Sequence, residues 1–293
     1  VGVQGVAVAE RAYQQALAYA QDRKQGRAVG APAASPIIEH PDIKRMLLEM
    51  RTKTAAGRAL CLVTAAALDR YHRLDDPEAK RIAHEEASML TPVAKAFSTD
   101  IGIEVASLGV QIHGGMGFIE ETGAAQHYRD ARILAIYEGT NGIQAIDLVT
   151  RKLPLSDGQR VRAMIAGYKH SADKARTIND PGFQRVGERL DAAVNALTRA
   201  TDFMLSKLKA EPNAALAGAT PYLRLFAIAS GGAYLAEQAL ASRVAMAAGE
   251  TDPRHQDRIR DARFFAENLA SAASGLEASV LDGADAINAA FND

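Results

Sequence analysis

Apolar residues recur along this chain at helical spacing. Over residues 3–23, Val6, Ala9, Tyr13, Leu17, Tyr19 and Ala20 form a broad apolar stripe, with Glu10, Arg11, Gln14, Asp22 and Arg23 opposite. That pattern predicts one helix, ended by Gly26, Gly30, Pro32 and Pro36. Pro41 and Asp42 read as the start of a second helix, in which Ile43, Met46, Leu47 and Met50 lead on through Leu60, Leu62, Ala66 and Leu68 to about residue 74. Asp75-Asp76-Pro77 turns the chain into a third helix over 78–112, where Pro92 predicts either a kink or a division. After a glycine-rich stretch, a further helix is expected over 142–151. No window alternates with period two, so no strand is expected.

Leu153-Pro154-Leu155-Ser156-Asp157-Gly158 gathers turn-forming residues after a helix end and reads as a domain boundary. Beyond it, four more helical stretches are expected at 159–178, 183–209, 222–248 and 255–281. The fold expected is all-α, two consecutive antiparallel helical bundles over 1–153 and 156–293. The stripe Leu223, Phe226, Ala227, Ala233 and Tyr234 fits either a core or an interface.

Composition narrows the possibilities. A chain of 293 residues is comfortable for two domains. With 5% aromatic residues and no Trp, its core must be aliphatic and alanine-rich. The formal net charge of −1 supplies no field to draw nucleic acid or an anionic membrane. No apolar run is long enough to span a bilayer. One cysteine, Cys61, excludes an internal disulfide and fits a reducing compartment, so a cytoplasmic location is expected. No His-x-x-x-His or Glu-x-x-His pair is present, so no metal site is expected. Val1 begins inside an apparent helix without an initiator Met, which predicts a fragment whose N-terminus lies upstream.

Three segments carry the candidate chemistry. The first is Gln111-Ile112-His113-Gly114-Gly115-Met116-Gly117-Phe118. The second is Tyr128-Arg129-Asp130-Ala131-Arg132-Ile133, and the third Ile136-Tyr137-Glu138-Gly139-Thr140-Asn141-Gly142-Ile143-Gln144. The glycines permit close backbone approach or positive φ, and Glu138 is a carboxylate on a turn just ahead of a helical run. Taken singly, these are weak signals: a glycine cluster also ends helices, Arg23 suits a solvated helix terminus, and Glu138 an exposed loop.

In this order and spacing, however, the three segments resemble the C-terminal helical domain of the acyl-CoA dehydrogenases. Arg23-Lys24-Gln25 stands where that family has a helix-terminal Arg-Lys-Gln or Arg-Lys-Thr. The resemblance covers about the first half of the chain. The second half resembles the extra helical domain of a larger subgroup that includes enzymes acting on 3-methylmercaptopropionyl-CoA.

The resemblance implies an FAD-dependent enzyme that desaturates an acyl-CoA thioester. Glu138 would remove the α proton while the β hydrogen leaves as hydride to the flavin. Its own backbone N–H would help hold the thioester oxygen as charge develops there. Gly139 would leave room for the substrate thioester, and Thr140 would contact flavin. Arg23, Gln111 and Gly115 would hold the ADP part of FAD, in the family usually that of a neighbouring subunit.

The partners implied are an acyl-CoA thioester, a flavin-linked electron acceptor and further copies in a homo-oligomer, dimer or tetramer. Two departures stand out. Gly26 replaces the Phe common after Arg-Lys-Gln, and the loop to His40 and Pro41 is longer than usual. The family's N-terminal helical and central β domains have no counterpart in this sequence, so the isolated fragment is expected to be inactive. The alternative is a non-catalytic helical oligomerisation or binding module of the same fold, against which the retained Glu138 argues.

Overall fold

Helical periodicity is realised nearly as expected, with shifts at the ends. The computed structural model describes residues 1–183 and 185–290. Its main helices are α1 (Gly2–Asp22), α2 (Pro41–Arg73), α3 (Pro77–His113), α4 (Gly115–Phe118), α5 (Ala124–Ala131) and α6 (Asn141–Asp147). They continue as α7 (Gln159–Arg176), α8 (Val186–Ala210), α9 (Pro212–Ala217), α10 (Ala219–Ala247), α11 (Arg254–Phe264), α12 (Ala273–Asp282) and α13 (Ala284–Ala289). No strand occurs among the described residues, and the fold is all-α. Gln184, inside the helix expected over 183–209, and the last three residues of the bundle expected over 156–293 lie outside the described residues.

Pro92 does not divide α3, which runs on as one helix. A proline has no N–H for the carbonyl four residues back, a loss of about 3 kcal/mol in a helix interior. Here Leu90, Val93, Ala94 and Phe97 are all buried around it, and that packing outweighs the loss. The helix expected over 255–281 is interrupted instead, by a π-helical turn at Phe265–Leu269 and a tighter turn at Ala270–Ala272. The wide turn re-phases the apolar face, so that Phe265, Ala266, Ala270 and Ala273 are all buried.

The chain folds as two compact units, each assembled from separated segments. The first comprises Val1–Arg58 and Ser98–Glu138, the second Ala59–Phe97 and Gly139–Asp293. In the first unit, Ala9, Ala12, Ala16 and Ala20 of α1 form a core with Met46, Leu47, Met50, Val105, Ala106, Ile112 and Ala131. Small side chains let these helices approach closely. A Cβ placed on Gly5 would lie 2.2 Å from the Ser98 carbonyl oxygen, so only glycine fits at that crossing.

In the second unit, α10 is buried along most of its length and packs against α6, α7, α8, α11 and α12. The stripe that fitted either a core or an interface is core: Leu223, Phe226, Ala227 and Ala233 are buried. Phe226 meets Tyr168 and Tyr222 edge-on, and the two tyrosine hydroxyls find Tyr234 and Thr201 as partners. Burial pushes the Tyr234 phenol up to about 12, which keeps it neutral and able to hydrogen-bond.

Buried Glu85 of α3 fastens the stretch ahead of α7. It accepts hydrogen bonds from Ser156 Oγ at 2.8 Å and Arg160 Nε at 3.2 Å, and pairs with Arg81. Burial pushes the Glu85 carboxyl up, but the bonds from Ser156, Arg160 and Arg81 outweigh it and hold it below its ordinary value of 4.5. A depressed carboxyl stabilises the fold fully above its unfolded value and loses that contribution as pH falls through the folded one.

Two consequences are measurable by denaturant unfolding. Phe226→Ala should cost about 3–5 kcal/mol through the cavity it opens, whereas Leu62→Ala, at an exposed site, should change stability by about 0.5 kcal/mol or less. Glu85→Gln should cost about 1–3 kcal/mol at neutral pH. Its deficit relative to the parent should shrink as pH falls below about 4.

Candidate functional site

Helix α1 ends where Arg23 leaves helical geometry, its N–H donating to the Tyr19 carbonyl at 2.8 Å. The loop that follows folds back on itself rather than hanging free. Ile37 N donates to the Arg23 carbonyl at 2.8 Å, Gln25 N to Ser35 and Ser35 N to Gly26, pairing Lys24 with Pro36. His40 Nε2 donates to the Gln25 carbonyl at 3.0 Å. Its ring stands 3.6 Å from where a Cβ on Gly26 would project, an ordinary contact, and it is the φ of +66° that favours glycine there.

At the far end of α3, His113 Nδ1 donates to the Gly109 carbonyl at 2.7 Å, which leaves Nε2 as the acceptor of the neutral ring. The same ring stacks on Tyr19, centroids 4.3 Å apart and planes 26° from parallel. Within the first unit these pieces enclose an open cleft of about 620 Å³. Tyr19, Arg23, Gln25, His40 and His113 line it, with the bare backbone of Gly114 and Gly115 at one side. No atom comes within 4 Å of a Cβ built on either glycine, so the peptide backbone there is accessible. A guanidinium, exposed amides and stacked rings together suit an anionic group that carries a flat ring.

Of the residues singled out in the sequence, Arg23 and Gly115 thus meet in one cleft. Gln111 is exposed on the last turn of α3 and its carbonyl accepts from Gly114 N, but its side chain is not part of the cleft lining. Glu138, Gly139 and Thr140 form a separate feature, an exposed turn ahead of α6.

That turn is conformationally unusual. Glu138 has φ +55° and Gly139 φ +82°, two successive left-handed residues. For glutamate this costs on the order of 1–3 kcal/mol and persists only where neighbours enforce it. A Cβ on Gly139 would also come within 3.0 Å of Gln144 Nε2. Thr140 then caps α6, its hydroxyl oxygen accepting from Ile143 N at 3.3 Å. Before the turn, the Tyr137 hydroxyl donates to Gln4 Oε1. After it, Lys95 Nζ donates to the Gly139 carbonyl at 2.9 Å and to Asn141 Oδ1 at 2.8 Å.

Sequence reasoning gave no site role to Tyr19, His40, His113 or Lys95. Lys95 stands in the sequence as the lone charge in the otherwise uncharged run Thr91–Thr99. Among the described residues no group of three or more His, Cys, Asp or Glu side chains could hold a metal ion. Nor is any described helix long and apolar enough to cross a membrane.

Comparison with known proteins identifies the family. The family model described as "Acyl-CoA dehydrogenase, C-terminal domain" matches residues 1–153, and "Acetyl-CoA dehydrogenase C-terminal like" matches residues 159–290. The 3-methylmercaptopropionyl-CoA dehydrogenase of Ruegeria pomeroyi is 45% identical over 98% of this chain and 49% of its own length. A butyryl-CoA dehydrogenase of Syntrophomonas wolfei is 31% identical over 88% of this chain and 43% of its own. The chain therefore spans about half the length of these relatives.

Among solved structures, an acyl-CoA dehydrogenase from Bacillus anthracis complexed with FAD superimposes with a TM-score of 0.73. It is 19% identical, covering 97% of this chain and 48% of that one, and so shares the fold. ACDH-11 of Caenorhabditis elegans, in complex with C11-CoA, gives a TM-score of 0.69 over 100% of this chain and 46% of that one. With a family model across more than half its length and helices arranged as in those structures, this chain belongs to the acyl-CoA dehydrogenase family.

Proposed function

We propose that this chain is the C-terminal catalytic part of an FAD-dependent acyl-CoA dehydrogenase that introduces an α,β double bond into an acyl-CoA thioester. The observation that carries this reading is Glu138, an exposed carboxylate on a left-handed backbone beside a glycine that no larger residue can replace without strain. A backbone held in so costly a conformation is a mark of a site where geometry matters more than local stability.

The cleft residues fit the ADP part of FAD. Arg23 offers the planar cation suited to a pyrophosphate, Gly115 an accessible peptide, and Tyr19 with His113 a stacked face beside which a flat ring can lie. Gln111 and Thr140 would add further polar contacts to FAD at the positions that the family resemblance gives them. When bound, FAD supplies the acceptor for the hydride that leaves the substrate β carbon.

The remaining steps fall to the chain. The Glu138 carboxylate takes the α proton, and the electron pair of that C–H bond becomes the new double bond as the β hydride departs. The N–H of Glu138 donates to the thioester oxygen, on which negative charge grows in the transition state. Gly139, with no side chain, leaves the thioester room to sit against the turn.

The active form is a homo-oligomer in the cytoplasm that passes its electrons to a flavin-linked acceptor. The substrates named for the relatives, 3-methylmercaptopropionyl-CoA and butyryl-CoA, are the first to assay. The isolated chain, spanning half the length of those relatives, is inactive by itself under this reading.

Both site predictions use the complete FAD-loaded protein containing this chain. Glu138→Gln should slow thioester-driven bleaching of the flavin by about 10²–10⁴-fold while FAD stays bound. Bleaching at the parent rate would remove the catalytic assignment and favour the non-catalytic module. Arg23→Ala should weaken FAD retention by tenfold or more, in line with about 1.5–3 kcal/mol for a hydrogen bond to a charged group. The ratio of flavin to protein absorbance after dilution measures it, and an unchanged ratio would take Arg23 out of the cofactor site.

A further inference from the structure

Lys95 is a buried charge that the chemistry above does not use. It lies on α3 with only 7% of its surface exposed. An ammonium group taken out of water is costly unless hydrogen bonds replace its hydration. Its bonds to the Gly139 carbonyl and Asn141 Oδ1 go to two points on one short segment, and Asn141 Nδ2 returns a bond to the Ala96 carbonyl at 3.2 Å. Two adjacent residues of α3 are thereby tied to the stretch that leaves the left-handed turn, and all four residues belong to the same compact unit.

The placement of these bonds matters more than their number. The Gly139 carbonyl belongs to the peptide that follows Gly139, so holding it restricts ψ at that residue. Asn141 is the first residue of α6, where the Thr140 cap already fixes the backbone. With both ends of residues 139–141 held, the chain has little freedom left to relax Glu138 out of φ +55°, the conformation glutamate would otherwise abandon. Hydrogen bonds to a charged donor are stronger than neutral ones, which suits the ammonium group to enforcing a strained turn.

We propose that Lys95 is a positioning residue for the base: bound to the Gly139 carbonyl and Asn141, it fixes the left-handed turn that presents Glu138 to the substrate. This rests on Glu138 being the base. Lys95 itself touches neither substrate nor cofactor in this role, and its influence passes through the backbone of residues 139–141. A displacement of about 1 Å in a reacting group can cost about 100-fold in rate, so losing the clamp should show in the chemical step before it shows in binding.

The test compares Lys95→Met, close in length but without the charge, with Asn141→Ala, which removes the partner side chain from the less buried end. Each is made in the complete FAD-loaded protein, alongside Glu138→Gln. Four quantities are measured: flavin content, melting temperature, Kd for the enoyl-CoA product, and the rate constant of anaerobic flavin reduction by acyl-CoA. The clamp predicts a reduction rate about 10- to 100-fold lower in Lys95→Met and lower in the same sense in Asn141→Ala, with flavin content and product Kd as in the parent.

Parent-like reduction in both variants, with Glu138→Gln inert, would overturn the clamp and leave the base in place. A rate lost only in proportion to lost flavin would overturn it too, since Lys95 would then serve the fold alone. If Lys95→Met does not fold, Asn141→Ala decides on the same criteria. Normal reduction by Glu138→Gln would instead remove the base reading on which the clamp depends.

Discussion

The close crossing of α1 over α3 is the constraint from which the first unit takes its shape. Two helices whose backbones approach until a single Cβ would overlap a carbonyl cannot slide or rotate against each other. Gly5 and Ser98 set that contact near one end of α1, and the alanines at 9, 12, 16 and 20 extend it along the helix. The other end of α1 then delivers Tyr19 against His113 and Arg23 to the cleft edge. Large residues could have filled the same core, but they would have held the helices further apart and the stacked pair out of contact.

A second constraint acts on the backbone before α6. Glu138 and Gly139 lie in a region of conformational space that short turns visit and helices do not. Hydrogen bonds flank it on both sides, Tyr137 to Gln4 before it and Lys95 to Gly139 and Asn141 after it. The strain thus falls on Glu138, since glycine takes positive φ freely, while the helix that follows begins normally with a threonine cap.

Much of this was legible in the sequence, for reasons that differ by element. The long helices declared themselves because an apolar stripe at period 3.6 is a local signal, and the ends of α1, α2 and α7 fell within two residues of their expected places. Short helices such as α5 did not, since eight residues with only Ala124 and Ala131 buried carry too little periodicity. The continuity of α3 through Pro92 was hidden because tertiary burial decided it. Glu138, Gly139 and Arg23 were singled out through their ordered motifs, and the structure sets the first two on one left-handed turn and Arg23 at the cleft. The Tyr19–His113 stack and the His40 ring over Gly26 join residues far apart in the chain, and spacing along a sequence does not encode such contacts. Lys95 sat in plain view as one charge in an uncharged run, a signal that reads first as a helix face touching water and only in the fold as a buried bond.

For Glu138 as the proposed base, the two features of its turn separate two demands that a general base makes. Its position must be fixed to a fraction of an ångström, while the carboxylate must stay accessible to a substrate that arrives from outside. Here φ of Glu138 and the peptides beyond it are constrained, and Glu138 is exposed. In the proposed reaction, exclusion of water from the carboxylate would be left to whatever covers the turn, so that water departs only when there is a proton to take. Under the proposed role, the chain fixes where the base stands, and bound ligands determine when it is dry.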